Sequence, residues 1–192
     1  TASIRYKDTL VVAYRDRTNE EIRDINIARK AGDIWEKPYR VHNDNWKIAG
    51  CPVNGPMLAT QKGKIAIAWY TGADNSARIN VAFSKDIGRT FSEPIRIDLS
   101  MPLGRVDLEW INNDEVIVSW IESGDETSNI YARRVNINTM LSKETLVEKI
   151  PPGRISGYPQ MEVVNNNVLF AWTEINKKTI VASKWLSLSA IK

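Results

Sequence analysis

His42 is the only histidine of this 192-residue chain and Cys51 its only cysteine. A Ser-His-Asp triad therefore has one possible base, and neither a nucleophile elbow nor a His-Glu-x-x-His pair accompanies it. One thiol excludes an internal disulfide framework and a multi-thiolate metal site. Cys51, between Gly50 and Pro52, reads as a buried, inert thiol. Neither a cofactor nor a metal is expected, which leaves polar and aromatic recognition. Arg15-Asp16-Arg17, followed by Glu20-Glu21-Ile22-Arg23-Asp24, is either a solvated ion-pair loop or a ligand contact through Arg15, Arg17 and Arg23. Trp46, in His42-Asn43-Asp44-Asn45-Trp46-Lys47, either stacks on a sugar ring or packs over its surroundings.

The elements that must position these residues follow from self-comparison. Leu10-Val11-Val12-Ala13-Tyr14, Ile65-Ala66-Ile67-Ala68-Trp69, Val116-Ile117-Val118-Ser119-Trp120 and Val168-Leu169-Phe170-Ala171-Trp172 repeat one pattern: an apolar run, a small residue, an aromatic. The aromatics fall at 14, 69, 120 and 172. The runs are short and rich in β-branched residues, hence buried strands. Residues 104–109 match 157–162, and each copy leads into an Asn-rich hairpin turn. Residues 25–42 align without gaps on 81–98. Each unit reads as strand, tight turn, strand, loop, strand, turn, strand. Four antiparallel strands in about 50 residues, repeated in tandem, predict an all-β chain, a β-propeller of four-stranded blades. The blades fall at about 2–42, 54–98, 104–150 and 157–192, together one propeller domain or part of one. A β-sandwich is the alternative, but it has no need of strands that repeat in register. Trp69, Trp120 and Trp172 should be among the most buried residues.

Composition agrees. Hydrophobic residues make up 43% and charged residues 26%, which is globular, and a net charge of +3 is scattered. No basic block marks a nucleic-acid groove, and no apolar run approaches the ~18–20 residues of a membrane helix. Thr1 opens no signal-peptide pattern, so a secretion signal is either absent or removed.

The run Ser84-Lys85-Asp86-Ile87-Gly88-Arg89-Thr90-Phe91 resembles the Asp-box, Ser-x-Asp-x-Gly-x-Thr-Trp/Phe, of sialidase-superfamily propellers. Blade 1 keeps only Gly32 and Trp35 of it, and blade 3 has lost it. Asp86 suits the turn by bonding local N–H groups, Gly88 by its positive φ, and Phe91 as an apolar anchor. The resemblance implies a six-bladed ring of which these are the last four blades; a closed four-bladed ring is the alternative. In the six-bladed case, missing blades or another chain cover the faces of blades 1 and 4. It also implies a periplasmic or extracellular setting and a glycan or other small-molecule ligand.

The repeat makes Asn54, Arg105 and Tyr158 equivalent, each opening a first strand at the channel mouth. The resemblance casts Arg105 as an arginine that clamps a substrate carboxylate through its two-pronged fork. It casts Tyr158 as the nucleophile, a phenol deprotonated by a nearby carboxylate. Asn54 stands where a second arginine is expected. The plain alternatives are a salt bridge from Arg105 to Asp107 or a rim acid, and a packing role for Tyr158. Function divides accordingly between a sialidase-like glycoside hydrolase and a non-catalytic propeller binding carbohydrate or protein on its rim.

Overall fold

The structure, a computed structural model, describes residues 1–99, 101–153, 157–175 and 178–192. Ser100 and residues 154–156, 176 and 177 lie outside the described residues.

The described chain is all-β. Its four antiparallel sheets each follow chain order, the up-and-down meander of a propeller blade. The first sheet holds β1 (Ala2–Tyr6), β2 (Thr9–Arg15) and β3 (Ile25–Ala31), with β4 (Ile34–Trp35) and β5 (Tyr39–Arg40) both paired to β3. Sequence reasoning expects one outer strand here. Pro38 has no N–H to give the ladder, and the strand breaks just before β5. The second sheet is β6 (Met57–Gln61), β7 (Lys64–Thr71), β8 (Arg78–Ser84) and β9 (Ile95–Arg96). The third is β10 (Pro102–Trp110), β11 (Glu115–Ser123), β12 (Ser128–Asn136) and β13 (Thr145–Ile150). The fourth contains three strands among the described residues: β14 (Gln160–Val164), β15 (Asn167–Ile175) and β16 (Thr179–Ser187). Among the described residues helix is confined to two 3-10 turns, Ala73–Asn75 and Leu188–Ala190.

The chain divides into two compact units, Thr1–Arg96 and Ile97–Lys192. Each buries apolar side chains between its two sheets. In the first unit Val11, Ala13, Ile25 and Ile27 meet Leu58, Ile65, Ile67 and Trp69. In the second Ile117, Ile121, Ile130 and Val147 meet Met161, Val168, Phe170 and Trp172. Trp69, Trp120 and Trp172 are 0%, 1% and 7% exposed, so the aromatic that closes the repeated apolar run within each of these second strands is a core anchor. Burying such a side chain contributes several kcal/mol, roughly 3–5 by the usual cost of truncating it to Ala.

A second device locks the first unit. In the 84–91 turn the Asp86 carboxylate accepts from Arg89 N (3.0 Å), Thr90 N (2.9 Å) and Thr90 Oγ1 (2.6 Å). Burial is the largest single influence on Asp86 and acts to raise its pKa. The bonds from Thr90, Ser84 and Arg89 outweigh it and bring the value down to about 2. Gly88 has φ +73°, and a Cβ there would crowd Ile65 and Val11 at 3.3 Å. The turn then docks on the first sheet: Ile87 O accepts from Arg29 Nε (2.8 Å) and Gly88 O from the Tyr39 hydroxyl (2.5 Å).

Candidate functional site

The polar candidates of the first unit converge on one another. Arg15, at the end of β2, donates through Nε to Asn54 O (3.0 Å), through Nη1 to Arg23 O (2.5 Å) and through Nη2 to Tyr70 O (2.6 Å). Its guanidinium also lies 4.9 Å from the Trp46 ring centroid. Burial lowers the Arg15 pKa to about 10, with Asp44 and Asp24 partly offsetting the loss. Arg23 is 7% exposed and pairs with Glu21 Oε2 at 2.5 Å. Arg17, largely exposed, pairs with Glu21 Oε1 at 2.6 Å. Of the two roles open to Trp46, packing is the one seen. The indole is 8% exposed, meets Tyr70 edge-on at 5.5 Å, and its backbone N–H donates to Asp24 Oδ1. Cys51, read from sequence as buried, is exposed. It sits in an irregular loop outside every strand, where no sheet face covers it.

In the second unit the structure brings Arg105 and Tyr158 together. The Arg105 guanidinium carbon lies 4.9 Å from the Tyr158 ring centroid. The arginine is 7% exposed and the tyrosine 46%. This cation–π stack arises from an irregular stretch of β10. Gly104 pairs with Ile121 and Asp107 with Ser119, so Arg105 and Val106 together oppose Trp120. Such a two-for-one bulge re-aims a side chain. Gly104 and Arg105 both adopt positive φ, 90° and 58°. For Arg105 that backbone costs on the order of 1–3 kcal/mol, a strain concentrated at functional positions.

Below the bulge lies a group of acids. Asp107 is 4% exposed and accepts from Leu108 N (2.9 Å) and from Met161 N (2.7 Å), tying β10 to β14. Burial raises its pKa, and those two N–H groups oppose the rise. Glu109 has no such offset. Burial first, then Glu162 on β14, then Asp107 push it up to about 7. A carboxyl poised there exchanges protons near neutral pH. Glu109 and Glu162 were not singled out from sequence, although a signal was present. Aligning 104–109 on 157–162 places the two glutamates at equivalent positions of matching first strands. Among the described residues no cluster of His, Cys, Asp and Glu could hold a metal ion, and no helix is long and apolar enough to cross a membrane.

These sheets define a β-propeller of antiparallel blades, and comparison with known proteins agrees. No family model matches the chain, and no curated protein matches it. Solved structures do. The chain is similar to a protein of unknown function from Dyadobacter fermentans, with TM-score 0.66 and 14% identity over 96% of this chain and 52% of that one. It is similar to a thermostable family-43 glycoside hydrolase, TM-score 0.58 and 12% identity, over 96% of this chain and 67% of that one. It also resembles the endo-arabinase of Bacteroides thetaiotaomicron, TM-score 0.56 and 11% identity, over 95% of this chain and 72% of that one. At these identities the likeness shows the fold alone. The chain spans about half the length of the Dyadobacter protein.

Proposed function

We propose that this chain is the larger part of a glycan-acting propeller of the glycoside hydrolase kind, with its site along the neighbouring first strands β10 and β14. The observation that carries the reading is Glu109, held near neutral pH by burial and by Glu162 on the adjacent first strand. Glu109 is the proton donor, Glu162 the second carboxyl of the pair, and Arg105 and Tyr158 contact the sugar. Structural likeness to a family-43 glycoside hydrolase and an endo-arabinase supports a glycan as substrate class. Within the first unit, Arg15, Arg23 and Trp46 hold their own loop together. Further blades or another chain complete the ring. The outward Val181 and Trp185 of β16, 79% and 55% exposed, are apolar surface of the kind such a cover removes from water.

A second reading rests on the Arg105–Tyr158 stack. In it the site is sialidase-like: Tyr158 attacks the anomeric carbon and Arg105 clamps the substrate carboxylate. One experiment tests both. The complete protein is assayed on neutral aryl glycosides and aryl sialosides, alongside Glu109→Gln and Tyr158→Phe. The carboxylate reading expects release from neutral glycosides, lost by about 10²-fold or more in Glu109→Gln and largely kept in Tyr158→Phe. The tyrosine reading expects release from sialosides, abolished in Tyr158→Phe. Glycan binding without turnover on any substrate makes the propeller a binding module.

A further inference from the structure

The first unit carries a polar cleft that shares no residue with the β10–β14 site. Its volume is about 420 Å³, and its walls come from the segment after β5, the start of β8 and the end of β9. His42 stands at its edge in a fixed orientation. Its Nδ1 lies 2.9 Å from Asp44 Oδ1, and the other Asp44 oxygen accepts from the buried Trp69 Nε1 at 2.7 Å. Asp44 is thereby held at both oxygens, and a neutral His42 with its proton on Nδ1 presents Nε2 as an acceptor. Nε2 is 4.0 Å from Glu93 Oε2, beyond hydrogen-bond reach.

The repeated blade supplies a control for what this arrangement is for. Trp120 likewise donates its indole N–H to a carboxylate, Glu122 Oε1 at 2.7 Å. There the carboxylate's other contacts are main-chain N–H groups, those of Leu99 and Met101. Capping a buried indole thus needs only a carboxylate. The second unit closes that cap on backbone, whereas the first passes it to an imidazole at a cleft.

The opposite wall is set by strand register. Asn80 on β8 pairs directly with Arg96 on β9, and Arg78, two residues before Asn80, shares its face. Arg78 lies 3.7 Å from Asp74. Charge balance decides the class of ligand. Two guanidiniums and one imidazole face Asp44, Asp74 and Glu93, so the cleft has no large excess of either sign with which to select an ion. It offers instead donors (Arg78, Arg96, Asn80) opposite acceptors (His42 Nε2, Glu93). That alternation suits vicinal hydroxyls, each of which donates one hydrogen bond and accepts others. We infer that this cleft is a binding subsite for a neutral saccharide unit, with His42 as its oriented acceptor and Arg78 and Arg96 as donors. With no aromatic platform in its lining, its affinity is expected in the millimolar range.

The single histidine makes the test direct, because its imidazole resonances in untagged chain are unambiguous. The full chain is titrated at pH 7.5 with methyl glycosides of glucose, galactose, xylose and arabinose, and with sulfate and glucuronate as anionic comparators. The His42 resonances are followed, so hydrolysis is not required and failure of the catalytic reading leaves this result untouched. At least one neutral glycoside should shift them saturably, and Arg96→Gln and Arg78→Gln should each weaken that binding about fivefold or more. No saturable shift below ~100 mM, a shift with the anions alone, or unchanged binding in both arginine variants would overturn the inference.

Discussion

The two units handle buried charge in opposite ways. Around Arg15 nearly every charge has been given a partner: three carbonyls for the guanidinium, an indole face beneath it, and Asp24 bonded to the N–H groups of residues 45 and 46. Between β10 and β14 acid is set against acid, with Glu109 facing Glu162 and Asp107 and pushed up to about 7. The first arrangement stabilises a loop and is chemically quiet. The second costs stability and stores a proton near neutral pH. Local inconsistency of this second kind is what the proposed site rests on, while Arg15 and Arg23 of the charge-rich loop are taken up by local contacts.

The contrast can be broken experimentally. The largest effect belongs to Arg15→Met, which keeps the bulk but strands the carbonyls of Asn54, Arg23 and Tyr70. Urea unfolding should show a loss of about 3 kcal/mol, since each unmatched buried acceptor costs roughly 1–3. A loss below about 0.5 kcal/mol would make Arg15 a solvated side chain and erase the difference between the units.

Next in size is Glu109→Gln, where the sign is opposite. Glu109 titrates near 7 in the fold against an ordinary 4.5, so the fold prefers its neutral form. Its contribution to stability is complete below about 4.5 and lost as pH rises through 7. The variant should match wild type at pH 4, be the more stable of the two at pH 8, and have a flatter profile between. Parallel stability curves would show that Glu109 is an ordinary surface carboxylate.

The smallest effect is Asp86→Asn. Asp86 titrates near 2 rather than 3.8, so it stabilises the fold above that ordinary value and loses the contribution as pH falls toward 2. The substitution should cost about 1 kcal/mol at pH 7. It should also remove part of the acid-induced loss between pH 4 and 2, read by thermal melts across that range. An unchanged acid limb would mean that the turn does not depend on the ionised carboxylate.

What sequence makes legible follows from range. The strands and their aromatic anchors repeat within each blade, so Trp69, Trp120 and Trp172 can be placed in the core without coordinates. The 84–91 turn is local too, and its residue types spell out its bonds. The split into β4 and β5 is half-visible, since Pro38 forbids continuity without saying that both fragments return to β3. Trp46 keeps two readings in sequence because its burial depends on Arg15 and Tyr70, 31 and 24 residues away. Glu109 is silent because its perturbation needs Glu162, 53 residues on, and a degree of burial that no periodicity encodes. The Arg105–Tyr158 approach follows from the repeat alignment, but the bulge that directs Arg105 depends on pairing with β11.

The docking of the 84–91 turn bears on how such a chain can be shortened or shuffled. Arg29 and Tyr39 reach across 58 and 49 residues to hold Ile87 and Gly88, and Val11 packs where a Gly88 side chain would go. Excising the first repeat would leave the turn of the second with two carbonyls lacking their donors and Gly88 packed on Ile65 alone, its Val11 side uncovered. The smallest cassette that can be transplanted, duplicated or lost without such damage is therefore two repeats, not one. Amide exchange should report the same grouping, with the Gly88 amide, which donates to Ser84 Oγ within the docked turn, exchanging faster when Arg29 and Tyr39 are both replaced.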